Sequence, residues 1–314
     1  MRELFVGIDT SNYTTSLSLV DTSGELVANL KLPLPVRPGE LGLRQSAALF
    51  EHTKNLPEIF EKARQELKGS RVLAVGVSAR PRNKEGSYMP CFLAGVSAAS
   101  AFASAVNAPL YRFSHQCGHI RAAIYGSGAS GLEDGFSALH ISGGTTEMLI
   151  AKRDEFGFDC DITGGTLDLC AGQAVDRTGV MLGFPFPCGV HLEKSALEYT
   201  DKIKLPRLSV KETYFNLSGL ENMVKKEFEK SKDTSKCSRL CLEFIAANLR
   251  AAILSQIDKY GERPVICSGG VMSNSIIKER LADIPNIYFA PPALSADNAV
   301  GVALLTFDKF YGKD

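Results

Sequence analysis

Residues 136–152 read FSALHISGGTTEMLIAK, two apolar runs separated by a polar turn that contains paired glycines. The pattern predicts a strand at 136–142, a tight turn at 143–146 and a second strand at 147–152. The same order opens the chain, where the apolar residues 4–9 lead into Thr10 and Ser11 and then into the alternating residues 15–20. This recurrence predicts two lobes of similar topology that face a cleft.

The rest of the chain alternates between helical and strand periods, which favours an α/β protein. A third strand of the opening meander is predicted at residues 26–32. Further helices are predicted at 45–67, 92–106, 238–257, 273–281 and from 296 onward, with strands at 71–78, 264–268 and 287–290.

Composition limits the class of protein. The 314 residues are enough for two domains, and 45% hydrophobic with 22% charged residues is typical of a globular chain. Since 35 basic residues balance 35 acidic ones, no overall field attracts nucleic acid or anionic lipid, and RNA would need a local patch or a partner protein. The basic residues between 202 and 236 alternate with acids, which favours a solvated face over an RNA surface.

The eight cysteines are scattered without a CxxC pair, as expected for reduced thiols. The first residues pass directly into a strand pattern, and no later run reaches about 18 uncharged apolar residues. We therefore expect a cytoplasmic protein without a membrane partner.

Three turns carry residues suited to phosphate or a nucleoside. They are GIDTS at 7–11, SGGTT at 142–146 and SGGVMSN at 268–274. The first presents hydroxyls and a carboxylate that can hold a metal or water, and the glycines of the others let a backbone approach an anion closely. Each turn alone also fits an ordinary strand end, but their order and spacing together predict a nucleotide site.

HQCGH at 115–119 predicts a metal site. If the segment is helical, His115 and His119 lie on one face, close enough for one ion. Asp297, between a predicted strand and the last helix, is the candidate third ligand. Alternatively, the histidines serve as caps or core hydrogen bonders. The absence of HExxH argues against a zincin protease, because no glutamate stands next to the first histidine to activate water. Iron, zinc and magnesium all stay open as the ion.

These motifs resemble the tRNA adenosine threonylcarbamoyltransferases, the TsaD, Kae or YgjD family formerly called O-sialoglycoprotein endopeptidases. The resemblance runs from Gly7 to about Leu305. It includes HQCGH (115–119), ISGGTT (141–146), TLDLCAGQAVDR (166–177), LGFPFPCG (182–189), FNLSGL (215–220), SGGVMSN (268–274) and PPALSADN (291–298).

The resemblance implies an actin-like (ASKHA) bilobal α/β fold, with two RNase H-like lobes around a nucleotide cleft. Residues 1–110 and 298–314 would form the N-terminal lobe, and residues 111–297 the C-terminal lobe with the metal and nucleotide site. The implied metal ligands are His115, His119 and Asp297, and the implied catalytic residues are Asp9 and Ser142. The implied nucleotide and substrate contacts are His140, Ile141, Ser142, Gly143, Gly144, Asp176, Gly189, Gly269, Gly270 and Asn274.

The implied reaction moves threonylcarbamoyl from threonylcarbamoyl-AMP to the exocyclic amine of the adenosine beside the tRNA anticodon. One divalent metal ion and an ATP- or AMP-type nucleotide would be the cofactors, with TsaB-like and TsaE-like proteins as partners. In this reaction the metal and the glycine N–H groups would stabilise charge on the leaving phosphate, while the cleft aligns the amine with the carbonyl.

The sequence departs from the family pattern in several turns. Asp9 stands in place of the usual glutamate, residues 80–87 replace a GPGLxG loop, Thr145 replaces a histidine and Leu169 replaces an acid.

Two alternatives therefore stay open. One is a divergent paralogue that binds nucleotide and metal in a regulatory or scaffold role, and the other transfers a carbamoyl or phosphoryl group to a small molecule. Residues 7–11 also fit a TsaB-like subunit, but that branch of the family is shorter than this chain and lacks the histidine pair.

Overall fold

The structure, a computed structural model, describes residues 1–11, 13–35 and 43–312. The strands are β1 (Glu3–Asp9), β2 (Thr14–Asp21), β3 (Leu26–Pro33), β4 (Arg71–Arg80), β5 (Leu110–Ser114), β6 (Phe136–Ile141), β7 (Thr146–Asp154), β8 (Gly157–Thr166), β9 (Val210–Lys211), β10 (Tyr214–Phe215), β11 (Val265–Ser268) and β12 (Ile287–Phe289). The helices are α1 (Gln45–Leu67), α2 (Phe92–Ala105), α3 (His115–Ser127), α4 (Ala171–Met181), α5 (Gly189–Leu197), α6 (Gly219–Ser231), α7 (Thr234–Tyr260), α8 (Ser275–Leu281), α9 (Pro292–Ser295) and α10 (Val300–Phe310). A short 3₁₀ helix covers Gly270–Ser273.

The chain divides into two compact units, and the first is discontinuous in sequence. It comprises Met1–Gly126, Lys152–Asp159 and Ala293–Asp314, whereas the second comprises Ser127–Ala151 and Cys160–Pro292. These bounds differ from the predicted lobes, which assign residues 111–126, 152–159 and 293–297 to the C-terminal lobe. The physical reason is that β5 pairs with β4, so α3 directly after it stays with the first unit.

The first unit contains a five-stranded sheet in the order β3-β2-β1-β4-β5. Its first three strands are the predicted antiparallel meander, and β4 and β5 continue the sheet in parallel with β1. The second sheet has the order β12-β11-β6-β7-β8-β10-β9. There β6 and β7 form the antiparallel pair, while β11 and β12 run parallel to β6. Each sheet therefore joins a hairpin to parallel strands, as the recurrence in the sequence predicts.

Strand β1 is buried on both faces because alternate side chains point to opposite sides of a strand. Leu4, Val6 and Ile8 pack in the cluster that includes residues of α1 and α2. Phe5 packs on the other face, against residues of α10 such as Phe307. The sheet of the first unit is thus covered by helices on both sides.

Helix α10 lies unusually close to its neighbours. A Cβ atom at Gly7 would lie 2.4 Å from the Ala303 nitrogen, and one at Gly301 would lie 1.7 Å from the Gly118 oxygen. Side chains cannot be accommodated at such separations, so the α10 backbone packs directly on β1 and α3. This contact fixes α3, which carries the histidine pair, relative to the strand that carries Asp9.

Helix α7 forms the core of the second unit. Ile245, Leu249 and Ile253 are fully buried in a cluster that also contains Leu139 of β6 and Met148 of β7. By length and hydropathy, α7 is the one helix in the described residues that could cross a membrane, but 67% of its most apolar window is buried inside the protein. It packs as a core helix.

The predicted start of the last helix at residue 296 is wrong. Helix α10 begins at Val300, whose backbone N–H donates to the Asn298 side-chain oxygen at 2.9 Å. This bond spans two residues and closes an Asx turn just before the helix, whose N-cap residue is Ala299. Asp297 therefore lies on a loop between α9 and α10.

A substitution at the α10 contact tests how much this contact stabilises the fold. Gly301→Ala should lower the free energy of unfolding by about 1–3 kcal/mol or more, because the added methyl group meets a backbone oxygen that cannot move freely. Urea unfolding measures this. The control is Gly219→Ala at the start of α6, where a Cβ meets no atom within 4 Å. Equal stability of both variants would contradict the close contact.

A second prediction concerns Asp168 in the second unit. Its carboxylate accepts bonds from the backbone N–H groups of Leu169 and Leu217 and from both the N–H and the hydroxyl of Ser218. Partial burial opposes ionisation, but these bonds, led by that of the Ser218 hydroxyl, lower the pKa of Asp168 from 3.8 to about 2. A lowered folded-state pKa stabilises the fold above pH 3.8, and this stability is lost as the pH falls toward 2.

Asp168→Asn should accordingly be less stable than the parent protein at pH 7, and the difference should shrink between pH 4 and pH 2. Denaturant unfolding at several pH values measures the trend. Asp201→Asn, at an exposed position, serves as the control for the loss of one carboxylate from the surface. A stability gap for Asp168→Asn that is constant with pH would refute the assignment.

Candidate metal centre and glycine turns

Asp9 ends β1 beside β4, its parallel neighbour in the sheet. Its side chain is 1% exposed, and both carboxylate oxygens accept hydrogen bonds. Oδ1 accepts the Ser11 backbone N–H at 2.9 Å, and Oδ2 accepts the Ser78 hydroxyl and also lies 2.9 Å from His115 Nδ1. Nothing in the sequence around Ser78 indicates this contact, because it arises from the pairing of distant strands.

Helix α3 begins at His115, directly after β5, so the helical condition for the histidine pair is met. His115 and His119 lie one turn apart and are 19% and 9% exposed. Their Nε2 atoms are 2.8 Å apart. Cys117, between them, is buried, and its thiol contacts the Phe158 carbonyl, so it packs in the interior of the first unit.

Asp297 joins the two histidines from the loop before α10. Its Oδ1 lies 3.4 Å from His119 Nε2 and 3.8 Å from His115 Nε2. One ligand atom from each of the three residues lies within 4.8 Å of the others. Two atoms bonded to one zinc ion at 2.0–2.2 Å are at most roughly 4.4 Å apart. The distances of 2.8, 3.4 and 3.8 Å between the three ligand atoms are all shorter, so the three atoms fit around one ion.

The donor set also fits a cation chemically. Two Nε2 atoms at 2.8 Å share at most one proton between them, whereas an ion accepts both lone pairs at once. The Asp297 carboxylate faces the same point and supplies negative charge. Two imidazoles and one carboxylate suit iron or zinc, while magnesium prefers oxygen ligands alone.

The charges of the cluster shift the pKa values of its members. Burial alone would lower the pKa of His115, but the charge and hydrogen bond of Asp9 and the charge of Asp297 together raise it. Burial and the charge of His115 lower the pKa of His119. Burial opposes ionisation of Asp297, but the hydrogen bond of His119 and the charges of both histidines hold its pKa well below its ordinary value. The two carboxylates thus raise the pKa of His115, whereas burial and the neighbouring His115 lower that of His119.

Lys31 of β3 is a further residue near this cluster that its sequence context does not indicate. Its ammonium donates to the Ala293 carbonyl at 3.0 Å. Burial lowers the pKa of Lys31, while the charge of Asp297 opposes that shift. Lys31 is thus a partly buried cation that interacts with the third candidate ligand.

The glycine turn at 142–146 lies in the second unit, between β6 and β7. The Ser142 N–H donates to the Thr145 carbonyl at 2.7 Å, and the Ser142 hydroxyl accepts the Thr145 N–H at 3.2 Å. Gly143 and Gly144 are exposed, and a Cβ at either would meet no atom within 4 Å. The turn is closed by its own hydrogen bonds and leaves an open backbone surface.

Helix α4 starts against this turn. The Gly172 N–H donates to the Ser142 carbonyl at 3.1 Å, and a Cβ at Gly172 would lie 2.6 Å from the Gly143 Cα. The first residues of a helix carry N–H groups without helical partners and a positive end of the dipole. The turn and α4 together form a surface suited to an anion.

Strand β11 brings the second glycine motif to β6. His140 Nδ1 lies 3.2 Å from the Ser268 hydroxyl. Gly269 has a φ of 98°, and a Cβ atom there would lie 2.2 Å from the Ile141 oxygen. Only glycine adopts this conformation at such a close approach. Ile141 itself is fully buried. His140, Ile141 and Gly269 therefore lie at neighbouring ends of parallel strands.

The remaining candidate contacts also lie in the second unit. The Asp176 carboxylate accepts the Cys188 N–H at 2.9 Å, one residue before Gly189 at the start of α5. Burial raises the pKa of Asp176 against this hydrogen bond. The Asn274 side chain accepts the Ile277 N–H at 3.1 Å and caps α8, and Gly270 opens the 3₁₀ helix before it. The structure thus pairs Asp176 with the Gly189 segment and gives Asn274 a capping role.

Solved structures similar to this one identify the fold. HypF from T. kodakarensis matches 99% of this chain and 48% of its own, with a TM-score of 0.65 and 12% identity. The (R)-2-hydroxyglutaryl-CoA dehydratase component A of Acidaminococcus fermentans covers 99% of both chains, with a TM-score of 0.57 and 12% identity. At such identities the likeness shows the fold alone, and the predicted actin-like (ASKHA) α/β class is confirmed.

The sequence comparisons identify the family. A family model described as TsaD, tRNA N6-adenosine threonylcarbamoyltransferase, matches residues 42–304. The relative of that name from Thermus thermophilus is 33% identical over 97% of this chain and 91% of its own length. The one from Sulfurihydrogenibium sp. is 29% identical over 98% of this chain and 91% of its own. The chain therefore belongs to the TsaD family of tRNA N6-adenosine threonylcarbamoyltransferases.

Proposed function

We propose that this protein transfers threonylcarbamoyl from threonylcarbamoyl-AMP to the exocyclic amine of the adenosine beside the tRNA anticodon. The observation that carries the proposal is the meeting of His115, His119 and Asp297 ligand atoms in a member of the TsaD family. TsaB-like and TsaE-like proteins would assist the reaction. The cytoplasm, where tRNA is modified, would be its location, consistent with eight free cysteine thiols.

The metal part of the proposal assigns one divalent ion, iron or zinc, to the three ligands. When bound, such an ion stabilises negative charge that gathers on a leaving phosphate. His115 and His119 would hold it from one helix face, and Asp297 from the loop before α10. Since the histidine pair and Asp297 come from two segments far apart in the chain, the site depends on the folded first unit.

The nucleotide part of the proposal lies in the second unit. The open backbone at Gly143 and Gly144, beside the start of α4, would bind the phosphate of an AMP- or ATP-type nucleotide. Ser142 would contribute from the same turn, and Ile141 only through its backbone. The nucleoside would lie against Gly269 and Gly270, with the ribose near Asp176, Gly189 and Asn274.

The residues would act mainly by binding and alignment. A weakly nucleophilic aromatic amine gains most from being held against the carbonyl it attacks, and N–H groups aimed at the phosphate stabilise the departing AMP. The hydroxyl of Ser142 already accepts the Thr145 N–H, so Ser142 would support the phosphate turn. Its predicted catalytic role stays a prediction.

The ligand assignment makes a direct prediction. Purified protein should retain close to one iron or zinc ion per chain. His115→Ala and His119→Ala should each lose most of it, because the one histidine and Asp297 that remain hold an ion far less firmly than three ligands do. Elemental analysis by mass spectrometry measures the content. The exposed His191→Ala is the matched control. Equal metal content in the parent protein and the three variants would show that His115 and His119 are not metal ligands.

The activity makes a second prediction. With TsaB-like and TsaE-like partners, tRNA and threonylcarbamoyl-AMP, the protein should form threonylcarbamoyladenosine, detected by mass spectrometry of digested tRNA. His119→Ala should slow formation by about 100-fold or more, the loss typical when one stabiliser of developing charge is removed. A parent protein that binds metal and nucleotide but modifies no tRNA would favour the regulatory or small-molecule alternatives.

A further inference from the structure

We infer that Asp9 and Ser78 together form a positioning dyad that fixes the ring of His115 so that Nε2 faces the metal. The inference rests on the proposed metal site and adds two residues behind it. Asp9 then acts through His115 and does not touch the substrate, which replaces the direct catalytic role that the family resemblance implies for it.

The hydrogen bond between Asp9 and His115 determines which ring nitrogen is free. Asp9 Oδ2 lies 2.9 Å from His115 Nδ1, and a carboxylate oxygen only accepts hydrogen bonds. Nδ1 must therefore carry the proton and donate it. In the neutral imidazole that leaves Nε2 unprotonated, and this is the atom 2.8 Å from His119 Nε2.

Ser78 and the backbone of Ser11 keep the carboxylate from turning. The Ser78 hydroxyl donates to the same Oδ2, and the Ser11 N–H donates to Oδ1 at 2.9 Å. Asp9 is 1% exposed and Ser78 is fully buried, so water does not compete for these bonds. Each oxygen of Asp9 is consequently held by a donor from β4 or from the turn after β1.

The two residues of the dyad lie on neighbouring strands, and this placement fixes the orientation of the His115 ring. Ile8 of β1 pairs with Val77 of β4, which puts the following residues, Asp9 and Ser78, side by side at the ends of parallel strands. His115 follows β5, which pairs with β4 in turn. The ring is therefore oriented by the sheet of the first unit, and carboxylates behind metal-bound histidines typically raise ligand basicity as well.

A purely structural role for Asp9 makes a different prediction. If Asp9 only tied β1 to β4 and α3, its loss would lower stability and leave the metal affinity of the folded protein unchanged. A positioning role requires weaker metal binding in protein that is still folded. The two roles are separated by measuring metal affinity and thermal unfolding on the same samples.

The test uses the full chain and Co²⁺ as the probe, titrated against a chelator and followed by its visible absorption. Asp9→Ala should weaken Co²⁺ binding about 10–100-fold, as loss of such a carboxylate typically does. Asp9→Asn keeps one acceptor oxygen and should fall between Asp9→Ala and the parent. Ser78→Ala should weaken binding by about tenfold or less, since one hydrogen bond is lost.

The matched control is Ser18→Ala. Ser18 is fully buried on β2 of the same sheet, and its hydroxyl contacts the Asn29 side chain at 3.4 Å. The substitution removes the same atom as Ser78→Ala without touching Asp9, so Co²⁺ affinity should match the parent. A loss equal to that of Ser78→Ala would show a general packing effect and overturn the inference.

Proton NMR of the Co²⁺ protein supplies a signature that packing alone does not change. A ring N–H of a cobalt-bound histidine gives a strongly shifted, exchangeable signal, and burial under Asp9 should keep the His115 Nδ1–H in slow exchange. In Asp9→Ala that signal should broaden or vanish, while in Ser18→Ala it should stay. Its persistence in folded Asp9→Ala, or unchanged Co²⁺ affinity there, would refute the dyad.

Failure of the proposed site gives a different result. If the parent protein takes up Co²⁺ no better than His119→Ala, the metal site itself is wrong and the dyad falls with it. If Asp9→Ala does not fold, Asp9→Asn and Ser78→Ala decide the matter by the same two measurements. Threonylcarbamoyl transfer by the parent protein is assayed separately, so the reaction can stand while the dyad fails.

Discussion

The first unit depends on the direct packing of the α10 backbone on β1 and α3. Gly7 and Gly301 leave room for it, and a Cβ at either position would overlap backbone atoms of Ala303 or Gly118. Through this contact one helix sets the separation between the strand that ends in Asp9 and the helix that begins with His115. Asp297 lies on the loop immediately before α10, so the third candidate ligand is placed by the same contact. Protein interiors are close-packed and deform little, which gives the cluster of ligand atoms its fixed geometry.

The two sheets show how one topology serves two chemical purposes. In the first unit, the turn after β1 carries a carboxylate whose oxygens are both held by buried donors. In the second, the turn after β6 carries Gly143 and Gly144, which stay open to solvent. A strand end that is closed by hydrogen bonds suits the orientation of another side chain, whereas an open glycine backbone suits direct contact with a ligand. The difference lies in the turn residues, since the hairpin and the parallel strands beside it are the same.

Periodicity and local motifs predict much of the fold and part of the candidate site. Helix α1 occupies the predicted residues 45–67, and α3 gives the histidine pair its helical spacing, because both features depend on residues close in sequence. The start of α10 at Val300 is missed because the apolar pattern from residue 296 onward does not mark the boundary between the loop and the helix. The contacts of Ser78 and Lys31 are missed because strand pairing and loop packing bring together residues far apart in the chain. A motif can indicate a ligand, but the residues that orient it are determined by tertiary structure.

The discontinuity of the first unit has a consequence for synthesis on the ribosome. Its last segment, Ala293–Asp314, supplies both Asp297 and α10, and these are made after the whole of the second unit. Domains generally fold as units while the chain emerges, so the second unit can complete its core while β1 to α3 still lack their closing helix. The nascent chain therefore holds the histidine pair without its carboxylate partner until residues 293–310 have been made. On the proposed assignment, the metal site can form only after this late segment has joined the first unit.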